Sequence, residues 1–433
     1  MATASLIRYS TGRLVIEMMA RISVKKTSIR NIIIFAIWFL PIFFAPQSQG
    51  FLQYGLGLSL AKASYVIPVI LGIFFLAHVF FKGANVLVNK YGFALLLFIY
   101  AHTFFSDVGE CSQVFYFLMY GAFVHIIGYN YPKTLFRQYL FSCKMISTLV
   151  VVDFIKYFTT GSMVCHWHAL GKVGGIPRIH TFFNEPAHQA TFLMPAVLYL
   201  LFCNRKGFHR GLAVLLFAYL ATFSVGAIVF LIIPVSFYYL RNMFRRTIRF
   251  KELLLGVAVG AFVFAVAGEF MFEKLGTALN TEMYYNTTKV SSGANVIAMI
   301  DIVANTKLTD LVLGVGYYNV GTLFAEYLES SNLYSYFLSQ GFFDGDYTSC
   351  ALVRMLYAFG LLGVALILLM VRKIYASSRD TLLATVVIVA LILFSSKETH
   401  ALNNLVFIFF FFGLFWGEGR RVETGLCEAG TTE

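Results

Sequence analysis

Apolar residues run along this 433-residue chain in long blocks separated by short polar breaks. A helix needs about 20 predominantly apolar residues to cross a bilayer, within a range of about 17–25. Blocks of that kind lie near 31–46, 64–81, 87–105, 111–128, 138–158, 187–203, 211–223, 225–240, 252–271, 350–371, 381–396 and 401–417. The pattern predicts an all-α polytopic membrane protein with about 12 transmembrane helices. The first block is interrupted by Pro41 and Pro46, and the seventh and eighth adjoin at Phe223-Ser224-Val225-Gly226.

Composition agrees. Hydrophobic residues make up 59% of the chain and charged residues 12%, against roughly 45–50% and 25% in soluble domains. So few charges could not clothe so large a core in water, and disorder needs the opposite balance. The surplus apolar surface must face lipid.

The net charge of +12 would suggest nucleic acid in a soluble protein; here it sets topology. With the N-terminus inside and spans alternating, 24 of the 33 basic residues fall on the cytoplasmic side, which is the bias that orients membrane proteins. Both termini are therefore cytoplasmic. Residues 1–30 form a basic N-terminal segment compatible with an interfacial helix, or simply a frayed tail. Residues 31–417 form one transmembrane domain, and 418–433 a cytoplasmic tail. Two external loops dominate, 159–186 and 272–349. The second carries Gly-Val-Gly turn chemistry at Gly314–Gly316.

Charges are scarce, so those at the outer ends of spans form the shortlist for chemistry. The first cluster is Arg178, His180, Asn184, Glu185, Pro186, His188 and Gln189. Pro186 suits the first position of a helix, so Glu185-Pro186 is equally readable as a plain helix start. The second cluster joins Asp346 to Arg354 near the start of the tenth span. Arg354 either snorkels to headgroups or faces the bundle and needs an anion. Lys397-Glu398 occupies the short turn before the last span, where it is either a solvated pair or a further anion contact. Asp153 and Lys156 have the spacing to pair near the end of the fifth span. Six cysteines show no metal-ligand spacing, and neither a metal nor a cofactor is expected.

Several segments resemble the bacterial O-antigen and capsular polysaccharide polymerases, part of the wider group that includes O-antigen ligases. Arg178 with the run "FFNEPAHQATFLMPAVLYL" (182–200) is similar to that family's R…F-x-E-P segment entering a span. "SVGAIVFLIIP" (224–234) resembles its small-residue span, "LGVG" (313–316) its long-loop turn, and "GDYTSCALVRMLYAFGLLG" (345–363) the stretch that ends the loop.

The resemblance implies a multi-span glycosyltransferase of GT-C-like architecture in the bacterial inner membrane, with two large periplasmic loops and a site facing the periplasm. Its substrates would be undecaprenyl-diphosphate-linked oligosaccharides, as both donor and acceptor. A chain-length regulator and a flippase of the same pathway would be its partners, with membrane lipid around it and no nucleic acid. Under that chemistry Arg178, Arg354 and Lys397 hold the diphosphate. Glu185, then Asp346, then His180 or His188 is the base for the acceptor hydroxyl. The alternatives are an O-antigen-ligase-type transferase and a lipid-linked-sugar transporter.

Overall fold

The computed structural model describes residues 70, 72–74, 77, 90–106, 132–164, 172–173, 176–181, 183, 186–202, 210–224, 228, 231–233, 235–236, 304–316, 319–320, 326, 351–377 and 388. These are mostly helical. Helices α1 (Lys90–Ser106), α2 (Pro132–Thr160), α3 (Pro186–Phe202) and α4 (Arg210–Leu220) match the third, fifth, sixth and seventh apolar blocks. A short α5 (Leu308–Leu313) precedes α6 (Ala351–Ser377), which matches the tenth. The first, fourth, ninth and twelfth blocks, the N-terminal segment and the C-terminal tail lie outside the described residues.

The stretch Arg137–Thr160 within α2 is long and apolar enough to cross a bilayer. Its outward face carries large apolar side chains. Tyr139, Ser142, Cys143, Ile146, Ser147, Val150 and Asp153 are buried at helical spacing, whereas Phe141, Val152, Ile155 and Phe158 are exposed. The buried hydroxyls of Ser142 and Ser147 donate to the carbonyls of Gln138 at 3.0 Å and Cys143 at 2.7 Å. Such back-bonding satisfies a polar group where water is absent. The same outward display of large apolar side chains recurs on α1 (Phe93, Leu97, Phe105) and α6 (Leu361, Leu362, Leu368).

Helix α3 is packed with α2 and α4, and Phe192, Leu193, Met194, Ala196, Val197 and Leu198 are all buried. Pro195 lies inside it, where a missing N–H and a ring clash loosen the helical ladder. Tyr139 of α2 enters at that point. Its hydroxyl donates to Phe192 O at 2.7 Å and accepts from Ala196 N–H at 3.2 Å, bridging two groups that a regular helix joins directly. Tyr139→Phe removes both bonds at a fully buried site. A cost of about 1–2 kcal/mol is expected, the net worth of one or two buried hydrogen bonds. Thermal unfolding of the purified protein in detergent measures it.

α2 ends by doubling back. Gly161, at φ +69°, donates its N–H to Tyr157 O at 2.8 Å. Asp153 then accepts from Val164 N–H at 2.6 Å, and the Lys156 ammonium donates to Met163 O at 3.4 Å. Asp153 and Lys156 thus share one task, holding the returning chain.

That chain continues into a small hairpin, β1 (Lys172–Val173) against antiparallel β2 (Ile176–Pro177), with Val173 opposite Ile176. Between the strands stand Gly174 and Gly175, a pair favoured in two-residue hairpin connections. The block pattern gave no sign of this hairpin, because two-residue strands are too short to show a period.

Candidate functional site

The hairpin delivers Arg178–Phe183 to the point where α3 begins and α4 ends. The turn that ends α4 takes the carbonyls of Phe217, Tyr219 and Leu220, and the strap supplies partners for the next two, those of Ala221 and Thr222. Ile179 N–H donates to Ala221 O at 3.0 Å, and Arg178 Nε–H donates to Thr222 O at 3.3 Å. A guanidinium there also complements the negative end of the helix dipole. The chain turns sharply away at Phe223, φ +44°, which separates the seventh and eighth blocks where the sequence placed their junction.

Gln189, buried in the first turn of α3, pins the strap from the other side. Its Nε2 donates to Ile179 O at 3.3 Å and its Oε1 accepts from the Thr181 hydroxyl at 2.8 Å. Thr181 itself is buried at φ +37°. His180 is buried as well, and its Nδ1 faces Phe183 O. A carbonyl only accepts, so Nδ1 carries the proton and any base role falls to Nε2. α3 begins at Pro186, as its sequence suggested. His188 lies in that first turn; Glu185 lies outside the described residues.

A second assembly gathers the end of α1, the chain after α5, and the first third of α6. α6 is not continuous: at Gly360 the backbone takes φ 66°, ψ −175°, a region essentially reserved for glycine. The unbroken tenth span expected from 350–371 is therefore two half-helices. The turn releases the carbonyls of Tyr357 and Ala358 from their partners four residues on. Val315 N–H takes the first at 2.7 Å and Gly316 N–H the second at 3.1 Å. Gly314, at φ 78° and ψ 155°, lies so close that a Cβ there would stand 2.6 Å from Gly360 N.

α1 secures this splice. His102 Nε2–H donates to Leu313 O at 2.8 Å. Asn319 Nδ2 donates to Ser106 O at 3.3 Å and to Val315 O at 2.9 Å. The His102 ring meets Phe359 edge-on at 5.9 Å, while Phe98 approaches Gly363, so α1 and α6 run antiparallel. Thr306 and Tyr357 join hydroxyls at 2.5 Å.

Arg354 lies one turn before the splice and is only 6% exposed. It is thus enclosed by protein rather than extended toward headgroups. A guanidinium so buried is tolerated only with polar partners. Asp346 and Lys397 lie outside the described residues. Among the described residues no group of three or more His, Cys, Asp or Glu side chains is placed to hold a metal.

The structure thus brings together segments far apart in sequence: 178–189 with 221–224, and 313–316 with 357–360. Arg178 belongs to the first assembly and Arg354 to the second. Thr222 and His102 were not singled out by sequence, and Gln189 stood in the first cluster without a role of its own. Gln189 and His102 carry a weak signal, a polar side chain one turn inside an apolar block; Thr222 acts through its backbone and carries none. Compared with protein-family models, with characterised proteins and with solved structures, the chain has no match.

Proposed function

We propose that this chain is a polytopic glycosyltransferase of the bacterial inner membrane, with about 12 spans and cytoplasmic termini. It polymerises undecaprenyl-diphosphate-linked oligosaccharide repeat units, of O-antigen or capsule, at the periplasmic face. The observation that carries the proposal is the position of its arginines. Arg178 is oriented by Thr222 O and Arg354 is held inside the protein, each at helix ends that the charge bias assigns to the outer side. The outward Phe, Ile, Val and Leu of α1, α2 and α6 support a lipid environment.

The reaction requires little else. The acceptor hydroxyl oxygen bonds to the anomeric carbon of the donor as the bond from that carbon to the phosphate oxygen breaks. Undecaprenyl diphosphate leaves with the bonding electrons, and the hydroxyl proton passes to a base. Arg178, Arg354 and Lys397 bind the diphosphate, because fixed guanidinium forks stabilise charge developing on phosphate oxygens. Glu185 is the first choice of base, Asp346 the second, and His180 or His188 the third. A transporter would use a broken helix to leave backbone carbonyls for its cargo; here Val315 and Gly316 occupy those of Tyr357 and Ala358.

Deleting the gene and resolving surface glycan on a gel tests the assignment. The expected result is single-repeat-capped material without a ladder. Repeats retained on the carrier would instead identify a ligase, and repeats that never reach the outer leaflet a flippase.

A further inference from the structure

α6 is severed at Gly360, and the backbone of Leu313–Gly316 packs into the cut. The half-helix 351–359 carries Arg354, and its last turn is capped by Val315 and Gly316 N–H through the carbonyls of Tyr357 and Ala358. Those residues lie three and four positions after Arg354. The cap therefore fixes where that half-helix ends and where its guanidinium stands. From α1, His102 reaches the root of the cap, where its Nε2–H holds Leu313 O at 2.8 Å.

We propose that His102 is a positioning residue for Arg354, acting through the Leu313–Gly316 splice; this rests on the reading of Arg354 as a contact for the leaving diphosphate. The His102 Nδ1 is buried and has no hydrogen-bond partner among the described residues. The ring's polar grip on the splice is the Nε2–H, while its faces and edges pack against Phe98 at 5.7 Å and Phe359 at 5.9 Å. Packing and donation are separable by substitution. His102→Phe keeps an aromatic ring beside Phe359 and loses the donor. His102→Gln loses the ring and keeps an N–H at similar reach.

The experiment uses the full-length protein in lipid nanodiscs, with hydrogen exchange at the Val315 and Gly316 amides and steady-state coupling of an undecaprenyl-diphosphate-linked repeat unit. In His102→Phe the two amides are expected to exchange about tenfold faster, in line with the loss of one hydrogen bond. kcat falls about tenfold with KM within about twofold, because a displaced Arg354 is missed chiefly where charge develops. His102→Gln restores both to within about threefold. His102→Leu serves as a second donorless variant where the Phe variant accumulates poorly. Faster exchange with unaltered kcat overturns the positioning role alone. Unaltered exchange in the donorless variants, or His102→Gln as impaired as His102→Phe, overturns the donor mechanism. Wild-type protein without coupling activity overturns the reading of Arg354 and this role with it.

Discussion

Arg354→Lys is expected to lower the rate of repeat-unit coupling by about 100- to 1000-fold, equivalent to about 3–4 kcal/mol, the range found when one preorganised charge-stabilising donor is removed from an active site. The charge is conserved, so the loss is one of geometry. A guanidinium offers five donors in a rigid plane and meets two phosphate oxygens at once; an ammonium is a flexible point charge that clings to its water. At a residue only 6% exposed, water has little room to fill the space the shorter head leaves. Arg178→Lys provides the comparison. Arg178 is partly exposed, and one of its donors is already committed to Thr222 O, so a smaller loss of about tenfold is expected. Initial rates of ladder growth in proteoliposomes, normalised to protein content, measure both. Equal rates for Arg354→Lys and wild type would remove Arg354 from the diphosphate site.

Gly360→Ala carries the largest expected effect on folding. The φ of 66° and ψ of −175° lie where a residue with a Cβ is strained by about 1–3 kcal/mol. The added methyl would also meet backbone on the facing segment, 2.6 Å from Leu313 C and 2.7 Å from Gly314 N. Backbone cannot rotate aside as a side chain can, so overpacking adds about 1–3 kcal/mol. A total of about 4 kcal/mol is comparable to the whole stability of a marginal domain. The variant should therefore accumulate poorly, and whatever is recovered should lose protection at Val315 and Gly316. A chromatography profile in detergent and thermal unfolding decide it; wild-type yield and melting would mean that the break at Gly360 is not required.

The elements that could be read from sequence are those whose signal is local. The apolar blocks at 87–105, 138–158, 187–203 and 211–223 became helices within a few residues of their expected ends, apart from an earlier start to α2 at Pro132. Pro186 opened α3, and Gly314 and Gly316 took positive φ. What was hidden depends on partners distant in the chain. A glycine inside an apolar block is ordinarily tolerated, and only the approach of Leu313–Gly316, more than forty residues away, turns Gly360 into a break. Tyr139 reads as one more core aromatic until the loosened ladder at Pro195 gives its hydroxyl a place. Arg354 could be assigned to the bundle or to the headgroups only once its burial was known. Of the candidate site, the two arginines and His180 stood out in the sequence because charge and imidazole are conspicuous among apolar residues. The roles of Gln189 and His102 were not legible, because their importance lies in the atoms of the strap and the splice that they hold.

The central claim, polymerisation of lipid-linked repeat units, is tested most directly by reconstitution. Purified protein in vesicles, supplied with undecaprenyl-diphosphate-linked repeat units and no other enzyme, should yield a ladder of lengthening glycan on the carrier. Undecaprenyl diphosphate should be released once for each linkage formed. Repeat units recovered unchanged, with the protein folded and correctly inserted, would contradict the account.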